Sequence, residues 1–214
     1  MCYFRDIGER KQTDARLAMV SRELQHRTKN LLGVVQSIVS RSLASGRSLD
    51  AARGVLVERL RALGHATDLL SATNWHGASI KDVVELAMAP FANLYSITGE
   101  TVLLNANSTQ GFALVIHELC TNAQKYGALS TSDGTVDIRW SVVEGGKAAQ
   151  LRFRWQEHGG PPVPQPEGTS FGTTLLQRAV GGAEPTPHVE YAPEGLIYKL
   201  SAPLAAVGAE GGDR

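Results

Sequence analysis

A histidine in a charged segment is the first residue of this sequence that could do chemistry. His26 follows Glu23 and precedes Arg27, Lys29 and Asn30. A neutral imidazole is nucleophilic near neutral pH, and an acceptor such as Glu23 can hold its second nitrogen, so His26 could accept a phosphoryl group. Arg27 and Lys29 would offset the charge of the incoming phosphate. The same residues also fit a solvated histidine on a charged helix face, and a lone histidine does not decide between these interpretations.

Three polar residues further along the chain recur at helical spacing. Glu118, Asn122 and Lys125 fall on one stripe of a predicted helix, while Leu114 and Leu119 are available to the core. A carboxylate, an amide oxygen and an ammonium on one face suit a magnesium-bound triphosphate, because oxygen ligates the hard cation and positive charge faces the phosphates. The alternative is a row of solvated charges on an amphipathic helix.

A strand that runs into glycines forms the third pattern. Apolar residues alternate over positions 151–155, ending at Trp155, and Glu157 follows just before Gly159 and Gly160. Glycines let a backbone approach a flat ligand closely, and a carboxylate can accept a hydrogen bond from an exocyclic amine. The same residues also fit an ordinary strand followed by a turn.

A loop that leads into a helix gives the fourth pattern, at residues 168–176. Ser170, Phe171, Gly172 and Thr173 lie around the predicted helix start, where backbone amides and the helix dipole favour phosphate. Glycine-containing helix starts are common, so this pattern is weak when it is taken alone.

Two long helices are predicted to present His26. Over residues 9–44 there is no proline, and apolar residues recur three, four and seven positions apart, which predicts one amphipathic helix. Gly46 fits a C-terminal cap and Ser48 the next N-cap, and a second helix follows over residues 48–71. Such a pair forms an antiparallel hairpin, which could also dimerise into four helices.

A second domain is predicted from Ala78 onward, where the pattern becomes mixed. Its predicted helices cover residues 79–92, 108–126 and 171–180. Its predicted strands cover residues 101–105, 135–143, 150–156, 188–191 and 196–201. Runs of strands beside segregated helices favour an α+β fold, with a mixed sheet and helices on one face.

Two of these patterns resemble a known family. Residues 23–38 closely resemble the phosphoacceptor box of the HWE family of sensor histidine kinases, in which the phosphorylated histidine corresponds to His26. Residues 115–130 resemble the N box of GHKL-type ATPases in its HWE form. The resemblance implies that Asn122 binds magnesium, that Glu118 acts as a base or orients the accepting histidine, and that His117 is the H of the family name.

The glycine segments resemble the nucleotide boxes of the same family. Trp155, Glu157 and the Gly-Gly-Pro-Pro-Val run resemble its adenine-binding box, with Glu157 where other GHKL proteins have an aspartate. Residues 168–176 are similar to a box that usually reads Gly-Phe-Gly, but Ser170 replaces the first glycine. Its hydroxyl could still donate a hydrogen bond, although a positive φ would cost more at serine.

The resemblance runs from Tyr3 to Leu204 and implies a domain plan. It implies a remnant of a PAS C-terminal strand at residues 1–8, a dimerisation and histidine-phosphotransfer hairpin at 9–77, a Bergerat-type ATP-binding domain at 78–204 and a disordered tail at 205–214. The implied cofactors are ATP and Mg²⁺, with Asn122 as the metal ligand through the nucleotide. The implied nucleotide-binding residues are His117, Asn122, Lys125, Tyr126, Trp155, Glu157, Gly159, Gly160, Ser170, Phe171, Gly172 and Thr173.

The resulting hypothesis is a kinase that phosphorylates itself on His26 and passes the phosphoryl group to an aspartate of a response regulator receiver domain. An upstream PAS sensor domain would control it. Two alternatives remain: a phosphotransfer or scaffold protein with a degenerate ATP site, supported by Ser170, and a response-regulator phosphatase in which Asn30 orients water.

Composition narrows the partners and the compartment. In 214 residues, Lys plus Arg equals Asp plus Glu at 21 each, so no global field attracts nucleic acid or an anionic membrane. Cys2 and Cys120 lie far apart and do not indicate a disulfide framework, which favours a reducing compartment. No apolar run reaches the roughly 18 to 20 residues that cross a bilayer. We expect a soluble cytoplasmic protein.

Overall fold

Two long helices open the protein. The computed structural model describes residues 3–43, 48–145, 148–162 and 186–209. Helix α1 covers Tyr3–Leu43 and helix α2 covers Leu49–Ala72. Ser48 caps α2, because its hydroxyl accepts a hydrogen bond of 3.3 Å from the backbone amide of Ala51.

The prediction of a strand over residues 1–8 is wrong for the residues that the structure describes there. Tyr3 already belongs to α1, which continues without a break to Leu43. A helix satisfies its backbone hydrogen bonds internally, whereas a strand needs a neighbouring strand, and no described strand of this chain pairs with these residues.

The two helices pack through a small apolar cluster that also includes a residue from a helix of the following domain. Ile38 of α1, Leu63 of α2 and Leu114 of a later helix are buried together. Other apolar side chains of α1, such as Met19 and Leu32, are exposed. The helical hairpin therefore leaves part of its apolar surface uncovered in a single chain.

A mixed five-stranded sheet follows, as predicted. Its strands are β2 (Tyr95–Gly99), β4 (Thr135–Gly145), β5 (Ala148–His158), β6 (Thr186–Ala192) and β7 (Gly195–Pro203). In the order β2-β4-β5-β7-β6, β2 runs parallel to β4 and every other neighbouring pair is antiparallel. Short strands β1 (Ala78–Ser79) and β3 (Leu103–Leu104) pair separately.

Helices α3 (Ile80–Met88) and α4 (Ala106–Tyr126) complete this layer. The ring of Phe112 on α4 meets that of Phe153 on β5 edge to face, with centroids 4.8 Å apart, so α4 packs on the apolar side of the sheet. Short 3₁₀ turns cover Ala89–Phe91 and Ala128–Ser130. The predicted helix at 171–180 lies outside the described residues.

The tail predicted to be disordered from residue 205 is ordered as far as Ala209. Helix α5 covers Leu204–Val207, and the Val207 side chain is fully buried. The amide of Ala209 donates a hydrogen bond of 2.9 Å to the Leu103 carbonyl, and Gly208 forms an isolated antiparallel β-bridge with Leu104. These contacts with β3 fix a segment whose small residues alone predict fraying.

The connection between α2 and β1 has an unusual backbone. Asn74, Trp75 and Gly77 have φ values of 51°, 64° and 135°. A Cβ at Gly77 would lie 1.9 Å from the Leu104 carbonyl oxygen, so only glycine fits there.

Candidate functional site

Helix α4 lies between the hairpin and the sheet, and its polar residues face α2. Its N-terminus is capped by Asn105, whose side-chain oxygen accepts a 2.9 Å hydrogen bond from the Ser108 amide. Further along α4, several polar side chains line one cavity of about 490 Å³ against α2. The cavity residues from α4 are His117, Glu118, Thr121, Asn122, Lys125 and Tyr126. The helical spacing in the sequence thus places the predicted N-box residues around one space large enough for a ligand.

Residues of α2 form the opposite wall of this cavity, which we call the N-box cavity. Ala51, Gly54 and Val55 lie there, followed by Glu58 and Arg59. A Cβ added at Gly54 would meet no heavy atom within 4 Å. The small side chains on this turn of α2 therefore leave room in front of α4.

A buried ion pair closes one end of the N-box cavity. The Arg59 guanidinium of α2 donates two hydrogen bonds to the Glu118 carboxylate, Nε to Oε1 at 2.7 Å and Nη2 to Oε2 at 3.0 Å. Its Nη1 donates a third, of 2.8 Å, to the Ser42 hydroxyl of α1. Arg59 is 2% exposed and Glu118 is 7% exposed. One arginine thus joins three helices.

Sequence reasoning missed Arg59, although its position carried a signal. The buried residues of α2 recur three, four or seven positions apart, and Arg59 stands among the apolar ones. A charge on an apolar stripe needs a buried partner. The pattern could have indicated that some carboxylate faces α2, but the identity of Glu118, 59 residues away, depends on the tertiary fold.

His117 lies beside this pair and borders a second cavity. Burial is the main cause that lowers the pKa of the His117 imidazole, and the charge of Glu118 opposes it. The imidazole is therefore neutral at neutral pH and can offer one donor and one acceptor. The second cavity, of about 320 Å³ between α2, α3 and α4, also includes His65, Phe91 and Cys120.

Glu157 is buried next to the turn that follows the C-terminal end of α4. It is 2% exposed, and its Oε2 accepts a 2.9 Å hydrogen bond from the Ala128 amide. The Trp155 indole donates a 3.3 Å hydrogen bond to Oε1. Burial raises the pKa of Glu157, while the hydrogen bond from Ala128 opposes that shift. The structure thus joins the predicted adenine box to the turn after the N box.

Glycines make this close approach possible. A Cβ on Gly127 would lie 2.0 Å from the Glu157 Oε2 atom, and one on Gly160 would lie 2.6 Å from the Ala128 nitrogen. Gly159 has a φ of +70°, and its carbonyl accepts a 3.2 Å hydrogen bond from the Thr131 hydroxyl. Gly127 was not singled out from the sequence, because its role depends on Glu157.

His26 is not brought next to these residues. Its backbone lies in α1, and Ser42, which contacts Arg59, follows it by 16 residues in the same helix. At about 1.5 Å per residue, this separation is about 24 Å along the axis. Asn30 is half-buried on the same helix. Ser170, Phe171, Gly172 and Thr173 lie outside the described residues.

Two kinds of feature are absent from the part of the chain that the structure describes. No three His, Cys, Asp or Glu side chains there are grouped so that they could hold a metal ion. No helix there is long and apolar enough to span a membrane.

Comparisons with known proteins agree with these observations. The model of the family described as HWE histidine kinase matches residues 23–101. A blue-light-activated histidine kinase of Brucella anthropi is 37% identical over 206 residues, which cover 94% of this chain and 42% of that protein. The Brucella ovis protein of the same name is 38% identical over 204 residues, covering 93% of this chain and 42% of that protein. The chain spans less than half the length of these relatives.

Solved structures share the fold. The blue-light activated histidine kinase EL346 of Erythrobacter litoralis matches with a TM-score of 0.62 at 20% identity, covering 86% of this chain and 58% of that one. Its separate histidine kinase domain matches with a TM-score of 0.55 at 17% identity, covering 83% of this chain and 95% of that one. The match at residues 23–101 and the identity over nearly the whole length relate this chain to the HWE histidine kinases.

Proposed function

We propose that this chain is the catalytic core of a sensor histidine kinase of a two-component system. It would phosphorylate itself on His26 with ATP and then transfer the phosphoryl group to an aspartate of a response regulator. The observation that carries the proposal is the N-box cavity, where Glu118, Asn122 and Lys125 converge. The names of the curated relatives support the same activity.

The predicted nucleotide-binding residues have distinct chemical roles in this proposal. Lys125 would face the phosphates, and Glu157 would accept a hydrogen bond from the exocyclic amine of adenine. The carboxylate keeps acceptor capacity for such a bond, because two oxygens offer about four acceptor sites and the described residues use two. The segment with Ser170 and Thr173 would complete the phosphate site.

Magnesium fits the donor set of the cavity. Mg²⁺ takes oxygen ligands and is commonly held by one or two protein groups together with substrate phosphates, so the Asn122 amide oxygen suffices without a dedicated cluster. When bound, the ion would neutralise charge on the transferring phosphoryl group.

The transfer itself asks for positioning rather than elaborate covalent chemistry. A neutral His26 nitrogen would form a bond to the γ-phosphorus while the bond between that phosphorus and the bridging oxygen breaks, and ADP would leave. The receiver aspartate would then form its own oxygen–phosphorus bond as the nitrogen–phosphorus bond breaks. An upstream PAS sensor and dimerisation through the hairpin belong to the same proposal.

Incubation with γ-labelled ATP and Mg²⁺ tests the proposal. We expect label on the unaltered chain and none on His26→Ala, because the variant lacks the accepting nitrogen, while its nucleotide affinity by calorimetry is unchanged. His188→Ala, which alters an exposed histidine of β6, is the matched control and keeps the label. Label that persists on His26→Ala would refute the assignment. Failure of the unaltered chain to bind ATP would favour the scaffold alternative.

A further inference from the structure

The ion pair between Arg59 and Glu118 has a geometry that conflicts with transfer to His26. Both oxygens of the Glu118 carboxylate accept hydrogen bonds from the guanidinium. Under the proposed function, on which this inference rests, the same carboxylate would take a proton from His26 or orient its ring. While Arg59 holds it, both oxygens of Glu118 are bonded toward α2, at the border of the N-box cavity.

The axial position of the pair adds a second conflict. Arg59 contacts Ser42, which places Glu118 about 24 Å along α1 from His26. The cavity wall on α2, at Ala51 and Gly54, precedes Arg59 in sequence and so lies nearer the turn between the two helices. A nucleotide in the N-box cavity would therefore lie on the side of Arg59 that is farther from His26. Phosphoryl transfer needs reacting atoms about 3 to 3.5 Å apart.

The chemistry of the pair suits a contact that opens. When a buried ion pair separates, water solvates both charges, which offsets part of the lost attraction. The pair adjoins an apolar cluster in which Ile38, Leu63 and Leu114 are buried, with the partly buried Leu31, Val34, Val35, Leu56 and Ala62 packed against them. Arg59 and Glu118 thus make a specific contact when they are paired, and water can solvate both side chains when they are apart.

We infer that the buried Arg59–Glu118 pair, with Ser42, is a latch that holds the ATP-binding layer on the hairpin in a resting arrangement, and that autophosphorylation of His26 requires it to open. Arg59 then restrains the reaction rather than taking part in it. A stimulus that weakens the pair, or moves α1 at Ser42, would release Glu118.

A reversible cross-link provides the sharpest test. Leu63 and Leu114 pack in one cluster beside the latch, so oxidation of a Leu63→Cys/Leu114→Cys chain, in a background that also carries Cys2→Ser and Cys120→Ser, would hold α4 on α2. We expect the oxidised protein to bind a fluorescent ATP analogue but to lose His26 labelling, and reductant to restore it. Equal labelling rates in both states would overturn the latch. Absence of label in every form, the unaltered chain included, would overturn the proposed function and the latch with it.

Removing the cation gives the complementary test. Arg59→Gln should raise the rate of His26 labelling about fivefold or more, the lower range of typical coupling between sites. Arg61→Gln, on the same helix in an exposed ion pair with Glu58, is the matched control and should label at the unaltered rate. A folded Arg59→Gln protein that binds nucleotide but labels more slowly would show that Arg59 supports transfer and contradict the latch. Should Arg59→Gln fail to fold, the cross-linked chain decides.

Discussion

Glu118 and Glu157 are both buried carboxylates, but one lies between two layers and the other lies within one. Glu118 is held by a guanidinium from another helix, whereas Glu157 is held by the Ala128 amide and the Trp155 indole of its own layer. Close-packed glycines surround Glu157, while open space lies beside Glu118 in the N-box cavity. The difference indicates that the sheet layer is close-packed around Glu157, whereas its contact with the hairpin combines one charge pair with an apolar cluster.

The largest effect that would test this contrast is expected at Arg59. Arg59→Met leaves the Glu118 carboxylate buried without its cation, which should lower the free energy of unfolding by about 3 kcal/mol. The double variant Arg59→Met/Glu118→Leu replaces both charges with apolar groups and should recover most of that loss. Urea unfolding of the single and double variants measures both values. A double variant less stable than the single one would contradict this account of the interface.

A smaller loss is expected at Gly127, on the close-packed side of the comparison. Gly127→Ala places a methyl group against the Glu157 carboxylate, where overpacking should lower the free energy of unfolding by about 2 kcal/mol. The backbone of Gly127 is extended, so any loss comes from the contact rather than from backbone strain. Urea unfolding again provides the measurement, and an unchanged midpoint would mean that the Glu157 region can relax.

The pH dependence of stability should separate the two carboxylates further. Burial raises the pKa of Glu157 above its ordinary value of 4.5, so the folded protein binds this proton more tightly than the unfolded chain. The contribution of Glu157 to the free energy of unfolding is fully present below pH 4.5 and is lost as the pH rises through the pKa of the folded protein. This contribution amounts to about 1.4 kcal/mol for each unit by which folding raises the pKa. Glu157→Gln should flatten this decline in urea titrations between pH 4 and about 8. An unchanged slope would assign the decline to other groups.

The smallest effect is expected on the exposed face of α2. A Cβ at Gly64 meets no heavy atom within 4 Å, so Gly64→Ala should raise the free energy of unfolding by about 0.5 to 1 kcal/mol through the unfolded chain alone. Thermal unfolding checks the sign. Gly127→Ala should lower the free energy of unfolding, whereas Gly64→Ala should raise it. Changes of the same sign in both variants would contradict the contrast between open and close-packed regions.

Periodic segments were predictable from the sequence because local pattern and tertiary fold agree in them. The two long helices, α4 and the pair β4 and β5 all follow the apolar spacing that predicted them. The shared cavity of Glu118, Asn122 and Lys125 likewise follows from helical spacing.

The features that the sequence did not predict depend on tertiary contacts. Strand β2 was not predicted, since its five residues, Tyr95–Gly99, form a strand by pairing in parallel with residues of β4 that lie 41 positions further along the chain. The last residues before 210 are ordered because β3 offers them hydrogen bonds. Arg59 could be recognised as an anomaly on an apolar stripe, but its partner could not be named without the packing of α4 on α2.

The pairing of Gly208 with Leu104 has a practical consequence for experiments on motion. Leu104 also pairs with Ala78, so the start of the sheet layer and its last described residues are neighbours at the connection to α2. If the layer turns about Asn74 and Trp75, a fluorophore attached at Ala209 stays near the pivot and reports almost nothing. A label on β6, an edge strand of the five-stranded sheet that lies outside this pairing, is the better choice for detecting such a motion.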